Sequence, residues 1–230
     1  MENIADIAMD SIEDALHALA RGEMVVVLDD KNRENEGDLI IAAEHATPEA
    51  LAFIVRHTTG IVCVAIEGER ADALQLDPMV RSNDDRHGTA FTVSVDARRG
   101  TSTGVSASDR AATIAALISP DTMPDDLMRP GHMFPLRARP GGVLERPGHT
   151  EAAVDLARLA GCAPAGVLCE IVRDDGAMAR TPELIRFARQ HGLCITTIAD
   201  LIVYRREGRD RRPSVHAIPH ASGLEAGAMR

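Results

Sequence analysis

The 230-residue chain carries 35 acidic against 25 basic side chains, a formal charge of −10, which argues against a general binder of nucleic acid or anionic membrane. Four phenylalanines and one tyrosine are too few aromatics for a base-stacking platform. Lys31 is the only lysine, so a lysine Schiff base would have to rest on it alone.

Residues 11–22 predict a helix, with Ser11 as cap, Asp14 at the capping-box position and Gly22 as stop. The apolar run 24–28 predicts a buried strand, and a second apolar run, 39–43, follows an acidic segment. Thr47-Pro48-Glu49 places cap, proline and acid in the order that opens a helix. Residues 61–66 are strand-like. Residues 90–95 alternate, which predicts a half-buried strand with Phe91, Val93 and Val95 on one face. A small-residue loop at 100–104 precedes a helix from Ser108 to Ser119. Three prolines within 129–142 argue against a long regular element there. Thr150 is placed to cap a helix that closes at Gly161, a strand spans 167–172, and Thr181-Pro182-Glu183 opens a helix ending near Gly192. Interleaved helices and strands predict a single α/β (α+β) domain over residues 1–205, a mixed β-sheet with helices packed on it. Residues 206–230 have no periodicity and are expected to form a disordered tail.

The cysteines at 63, 162, 169 and 194 form no C-x-x-C pair, and three of them are expected to be small buried residues. The acidic amino terminus lacks a signal-peptide pattern, and no apolar run reaches the roughly 18 residues of a membrane span. Both point to a cytoplasmic setting without membrane contact.

Chemistry concentrates in five segments. Between residues 29 and 38 stand Asp29, Asp30, Glu34, Glu36 and Asp38, hard oxygen donors that suit magnesium or manganese, with Arg33 among them. A solvated acidic loop is the alternative. At 145–156, Arg146, Pro147, Gly148, His149 and Thr150 form a turn at a helix start, which suits a phosphate. His149 there is a metal ligand, a proton carrier or an ordinary turn residue. His132 stands on a proline-bounded segment beside Met133 and Phe134, where it suits acid–base work or a structural role. The hydroxyl-rich stretch 100–114 includes Thr103 and suits an anion, but it lacks the lysine of a nucleotide P-loop. Glu170 sits inside an apolar strand, where an unpaired carboxylate is costly and a buried salt bridge with an arginine is the alternative to a functional role.

Five segments together resemble the 3,4-dihydroxy-2-butanone 4-phosphate synthase family: RENEGDL (33–39), FTVSVDARRGTSTGVSASDRAATI (91–114), RPGHMFPLRA (129–138), RPGHTEAAVDL (146–156) and CEIVRDDGAMAR (169–180). The resemblance runs from about residue 12 to 204. It implies a lyase of riboflavin biosynthesis that converts D-ribulose 5-phosphate into 3,4-dihydroxy-2-butanone 4-phosphate and formate. It also implies two divalent ions per active site, magnesium or manganese, and a homodimer with sites near the subunit interface. Glu34 and His149 are the implied metal ligands, and His132 and Glu170 the implied proton-handling pair. Arg33, Glu34, Asp38, Thr103, Arg146, Pro147, Gly148, His149, Thr150 and Glu170 are the implied substrate contacts. Some members carry a second, zinc-dependent GTP cyclohydrolase II domain. This chain is expected to be monofunctional.

Overall fold

The computed structural model describes residues 9–208. Its elements run α1 (Ile12–Ala20), β1 (Val25–Leu28), β2 (Gly37–Ala42), α2 (Pro48–His57), β3 (Cys63–Ile66), α3 (Gly68–Ala73), β4 (Val95–Ala97), α4 (Ala107–Ile118), β5 (Leu127–Arg137), α5 (His149–Leu159), β6 (Ala165–Glu170), α6 (Thr181–His191), β7 (Cys194–Thr197) and α7 (Ile198–Arg206). The strands form one mixed sheet in the order β4-β5-β3-β6-β2-β1-β7. The β1–β7 and β3–β5 pairs are parallel, and the remaining pairs are antiparallel.

Strand alternation sorts the core into two layers. Val26, Leu28, Leu39, Ile41, Val64 and Val167 pack with α2, α3, α4 and α6 on one face. Val25, Val27, Ile40, Ala65 and Leu168 pack with α1, α5 and α7 on the other. The result is a single α/β domain, with helices covering both faces of the sheet. α5 is the innermost helix, with every residue from His149 to Ala157 buried. Its two buried carboxylates are paired, Glu151 with Arg146 at 2.6 Å and Asp155 with Arg205 at 2.6 Å.

Several boundaries differ from the sequence reading. Ser106, not Ser108, caps α4, because its hydroxyl accepts from the Asp109 amide at 3.1 Å. The caps of α5 and α6 are Gly148 and Arg180, so Thr150 and Thr181 lie inside their helices. Residues 90–94 are not a strand. Phe91 packs in one layer and Val93 in the other, and pairing is limited to isolated bridges at Phe91 and Thr92.

The segment 129–142 is the clearest correction, since the eleven-residue β5 (Leu127–Arg137) runs through most of it despite Pro130 and Pro135. Pro135 turns its carbonyl outward to Thr92, whose amide donates at 3.0 Å. A residue's N and C=O point the same way from a strand, so the missing N–H of Pro135 costs no bond to β3. Pro130 lies where pairing with β4 lapses. Val95 opposes Met133 but the next residue, Asp96, opposes Met128, so residues 129–132 have no partner on β4. α3, β7 and α7 had no clear signal in the sequence. The expected tail falls outside the described residues except for 206–208, of which Arg206 ends α7.

Candidate active site

The β1–β2 connection is an acidic loop built around one side chain. The Asp29 side chain is fully buried, and its two carboxylate oxygens accept from the amides of Glu36 and Glu34, both at 2.9 Å. Arg33 adds a contact to Asp29 at 3.1 Å and a close one to Glu34. Asn35 takes a left-handed conformation, φ 56°, which asparagine tolerates better than most residues. From outside, Arg180 donates to the carbonyls of Glu34 and Asn35.

β2 begins two residues earlier than its apolar run suggests, so Asp38 lies inside the strand and is buried. Antiparallel pairing sets it directly opposite Glu170, the last residue of β6. Glu170 is therefore at a strand end rather than inside one, and its carboxylate accepts from the Thr59 hydroxyl at 2.8 Å. α5 points its first turn at this place. His149 donates from Nε2 to the Val27 carbonyl at 3.0 Å, because a carbonyl can only accept. Nδ1 of the neutral ring then keeps its lone pair, 3.6 Å from Asp38 Oδ1 and 3.9 Å from Glu34 Oε2.

The electrostatics are unbalanced in one direction. Burial, with Glu170, Glu34, Glu36 and Asp29 nearby, pushes the Asp38 carboxyl well above the usual range. Burial and the same carboxylates also raise Glu36. Burial lowers His149, although Asp29 and Glu34 pull the other way. Asp38 Oδ1 is buried with no hydrogen-bond partner. An orphaned carboxylate oxygen, a free imidazole lone pair and a crowd of acids together fit a divalent cation. Asp29, Glu34 and His149 bring one donor atom each within 4.8 Å of one another.

Glu34, Asp38, His149 and Glu170 line a cleft of about 340 Å³, shared with Arg33, Glu36, Cys63, Arg146 and Thr150 on one side and Met79, Val80, Asn83, Asp85, Thr89 and Phe91 on another. At its α5 end Gly148 has no side-chain cap. A Cβ on Gly148 would lie 2.4 Å from Arg146 Nη1 and 3.1 Å from Arg33 Nη2, so two guanidinium groups converge on this backbone turn. Arg146 also bonds Glu151, the Thr89 hydroxyl and the His87 carbonyl, which uses three of its five N–H groups. The turn thus combines uncapped helix amides with arginine donors, the chemistry of an anion site.

His132 and Thr103 do not line this cleft. His132 sits in the unpaired part of β5, half exposed, and its Nδ1 lies 2.7 Å from the buried Asp96 carboxylate. Thr103 is exposed, one residue before Gly104, whose Cβ would collide with both Asp96 and His132. The predicted residues therefore fall into two groups, a main cleft and a separate His132–Asp96–Thr103 patch. Sequence reasoning did not single out Asp96, Thr59, Arg180 or Glu151. The acidic residues 96 and 151 lay inside the quoted segments, but only the fold shows which side chains they hold.

A family model described as 3,4-dihydroxy-2-butanone 4-phosphate synthase matches residues 13–204. The chain belongs to this family. A solved structure of a 3,4-dihydroxy-2-butanone 4-phosphate synthase in complex with two magnesium ions superposes with a TM-score of 0.84 at 48% identity, covering 88% of this chain and 99% of that one. The synthase of Candida albicans aligns with a TM-score of 0.81 at 50% identity, covering 86% and 99%. The riboflavin biosynthesis protein RibBA of Salinispora arenicola is 57% identical over 224 residues, 94% of this chain and 53% of the relative. RibBA of Aquifex aeolicus is 56% identical over 207 residues, covering 89% and 51%. The chain spans about half the length of the curated relatives it matches. No helix among the described residues is long and apolar enough to cross a membrane.

Proposed function

We propose that this synthase-family chain converts D-ribulose 5-phosphate into 3,4-dihydroxy-2-butanone 4-phosphate and formate for riboflavin biosynthesis, as a cytoplasmic homodimer. The observation that carries the reading is the convergence of Glu34, Asp38, His149 and Glu170 at one end of β2, β6 and α5. Glu34 and His149 would hold two divalent ions, magnesium or manganese, with Asp29 and Asp38 adding negative charge. When bound, such ions act as Lewis acids for the negative charge that builds on the sugar's oxygens.

The remaining roles belong to the protein. Arg33, Arg146 and the first amides of α5, from Gly148 to Thr150, would hold the phosphate, with Pro147 shaping the turn. Asp38 would hydrogen-bond the sugar hydroxyls. Glu170, held by Thr59, would carry protons in the enolisation, dehydration and carbon shift. His132 is the second proton carrier, and Asp96 orients its ring. Because His132 and Thr103 lie outside the cleft, we assign them to the partner subunit's site, across the homodimer interface.

The test is formate release from D-ribulose 5-phosphate. Formate is expected with magnesium and should disappear when EDTA is in excess. Folded protein that consumes the substrate without releasing formate would instead be a sugar-phosphate isomerase or aldolase. No consumption at all would leave a binding protein.

A further inference from the structure

A second cluster of ligand-type side chains lies away from the cleft. Glu44, His45 and Cys162 bring a carboxylate oxygen, an imidazole nitrogen and a sulfur within 4.8 Å of one another. Glu44 and His45 stand in the short 3-10 turn Ala43–His45 that directly follows β2. Cys162 follows the end of α5, where Gly161 turns the chain at φ 85°. The Cys162 amide is fixed by the Ala157 carbonyl at 3.0 Å.

Glu44 is tied to backbone outside the cluster, and the other two donors face it. The Ala163 amide donates to Glu44 Oε2 at 2.7 Å, which ties the carboxylate to the loop that carries the thiol. His45 Nε2 is 3.7 Å from Glu44 Oε1. The opposite edge of its ring lies against Gly22, where a Cβ would come within 3.2 Å of His45 Cγ. Gly22 thus leaves room for the imidazole to face Glu44. Partial burial and the Glu44 carboxylate push the Cys162 thiol up to about 11, so at neutral pH the thiol is protonated beside a carboxylate.

We propose that Glu44, His45 and Cys162 form a binding site for a zinc-type transition-metal ion, distinct from the magnesium-type site of the cleft. One sulfur, one nitrogen and one oxygen donor match the ligands zinc prefers, and a water would complete a tetrahedron. Magnesium has no use for a thiolate, so the two sites select by chemistry. On binding, the sulfur–metal bond replaces the S–H bond and the proton leaves to water. The site's place in the fold gives it a mechanical meaning. β2 and α5 carry Asp38 and His149 at one end and reach Glu44–His45 and Cys162 at the other. Eleven helical residues span about 16 Å, so the ion would join the far ends of the two elements that build the cleft.

Cobalt is the probe, because a Co–thiolate bond gives a near-ultraviolet charge-transfer band. Reduced full-length protein, held in excess magnesium, is titrated with Co²⁺ without oxygen. The expected result is a charge-transfer band with visible d–d bands, saturating at one equivalent and removed by Zn²⁺. Cys162→Ser should abolish the charge-transfer band. His45→Ala and Glu44→Gln should each weaken binding by at least about tenfold. Cys63→Ser is the decisive control, since Cys63 lines the cleft. The band should survive it. Absence of the band in the parent protein, its survival in Cys162→Ser, or its loss in Cys63→Ser would overturn the proposal. If Cys162→Ser does not fold, unchanged cobalt affinity in both other ligand variants would overturn it equally.

Discussion

His149 has one nitrogen committed and one at liberty. The Val27 carbonyl fixes the proton on Nε2, and burial keeps the ring's pKa below that of an exposed histidine. Nδ1 is therefore ligand-competent through neutral pH and further into the acid range than an exposed imidazole would be. His149→Ala should raise the magnesium concentration needed for formate release by at least about tenfold. Calorimetric titration with magnesium should weaken in parallel, and an unchanged titration would exclude His149 as a ligand. Residue type left His149 open between ligand, proton carrier and turn residue, and it was the family resemblance that named Glu34 and His149 as metal ligands; the fold brings the two side chains within 3.9 Å. The tautomer was not legible, because the carbonyl that sets it lies 122 positions away in the chain. Asp29 shows the same limit. It counts as one acid among five in the sequence, yet in the fold its carboxylate ties down the loop's own amides.

The acidic loop is also held by a different element, and this can be tested. Arg180 stands at the start of α6 and donates to the Glu34 and Asn35 carbonyls. Arg180→Ala should loosen the loop and raise the magnesium requirement several-fold, while leaving the rest of the sheet intact. Unchanged magnesium dependence would show that Asp29 alone suffices. A second inter-element tie responds to pH. Asp10, just before α1, makes a two-oxygen pair with Arg189 of α6, both bonds at 3.0 Å, and accepts from the Ile195 amide of β7 at 2.8 Å. Burial acts to raise its pKa, but Arg189 and that amide outweigh burial and hold it below the usual range. A depressed carboxylate stabilises the fold above its unfolded pKa, near 4, and loses that contribution as pH falls through its lower folded value. Asp10→Asn should therefore cost roughly 1 kcal/mol at neutral pH, given the exposure of Arg189. The difference from the parent should shrink below about pH 4 in denaturant titrations. A constant difference across that range would assign the loss to packing. Most helices were legible because proline, acid and glycine mark their ends. β5 was not, because a proline penalty depends on which edge the missing N–H faces, and only the pairing of Thr92 with Pro135 reveals that edge.

At the scale of the whole molecule, the family motifs divide between two places on one chain. The order of motifs along the sequence implied a single site but carried no information about which copy supplies each part. The separation of His132 and Thr103 from the cleft turns that gap into a prediction about assembly. In the proposed homodimer, the Glu170→Gln and His132→Ala variants should each be nearly inactive, because each site lacks one of the two proposed proton carriers. Random exchange of subunits makes half of the dimers mixed. If each site takes Glu170 from one subunit and His132 from the other, every mixed dimer has one site with both groups intact. The mixture should then recover about a quarter of the parent formate-releasing activity. If both residues act within one chain, every site in the mixture still lacks one group and no activity returns. Size-exclusion chromatography of the same mixture, with one variant tagged, establishes that exchange has occurred. Recovery in exchanged samples would support a site shared across the interface. Its absence after proven exchange would place His132 back in its own subunit's cleft and require the β5 segment 129–132 to move during the reaction.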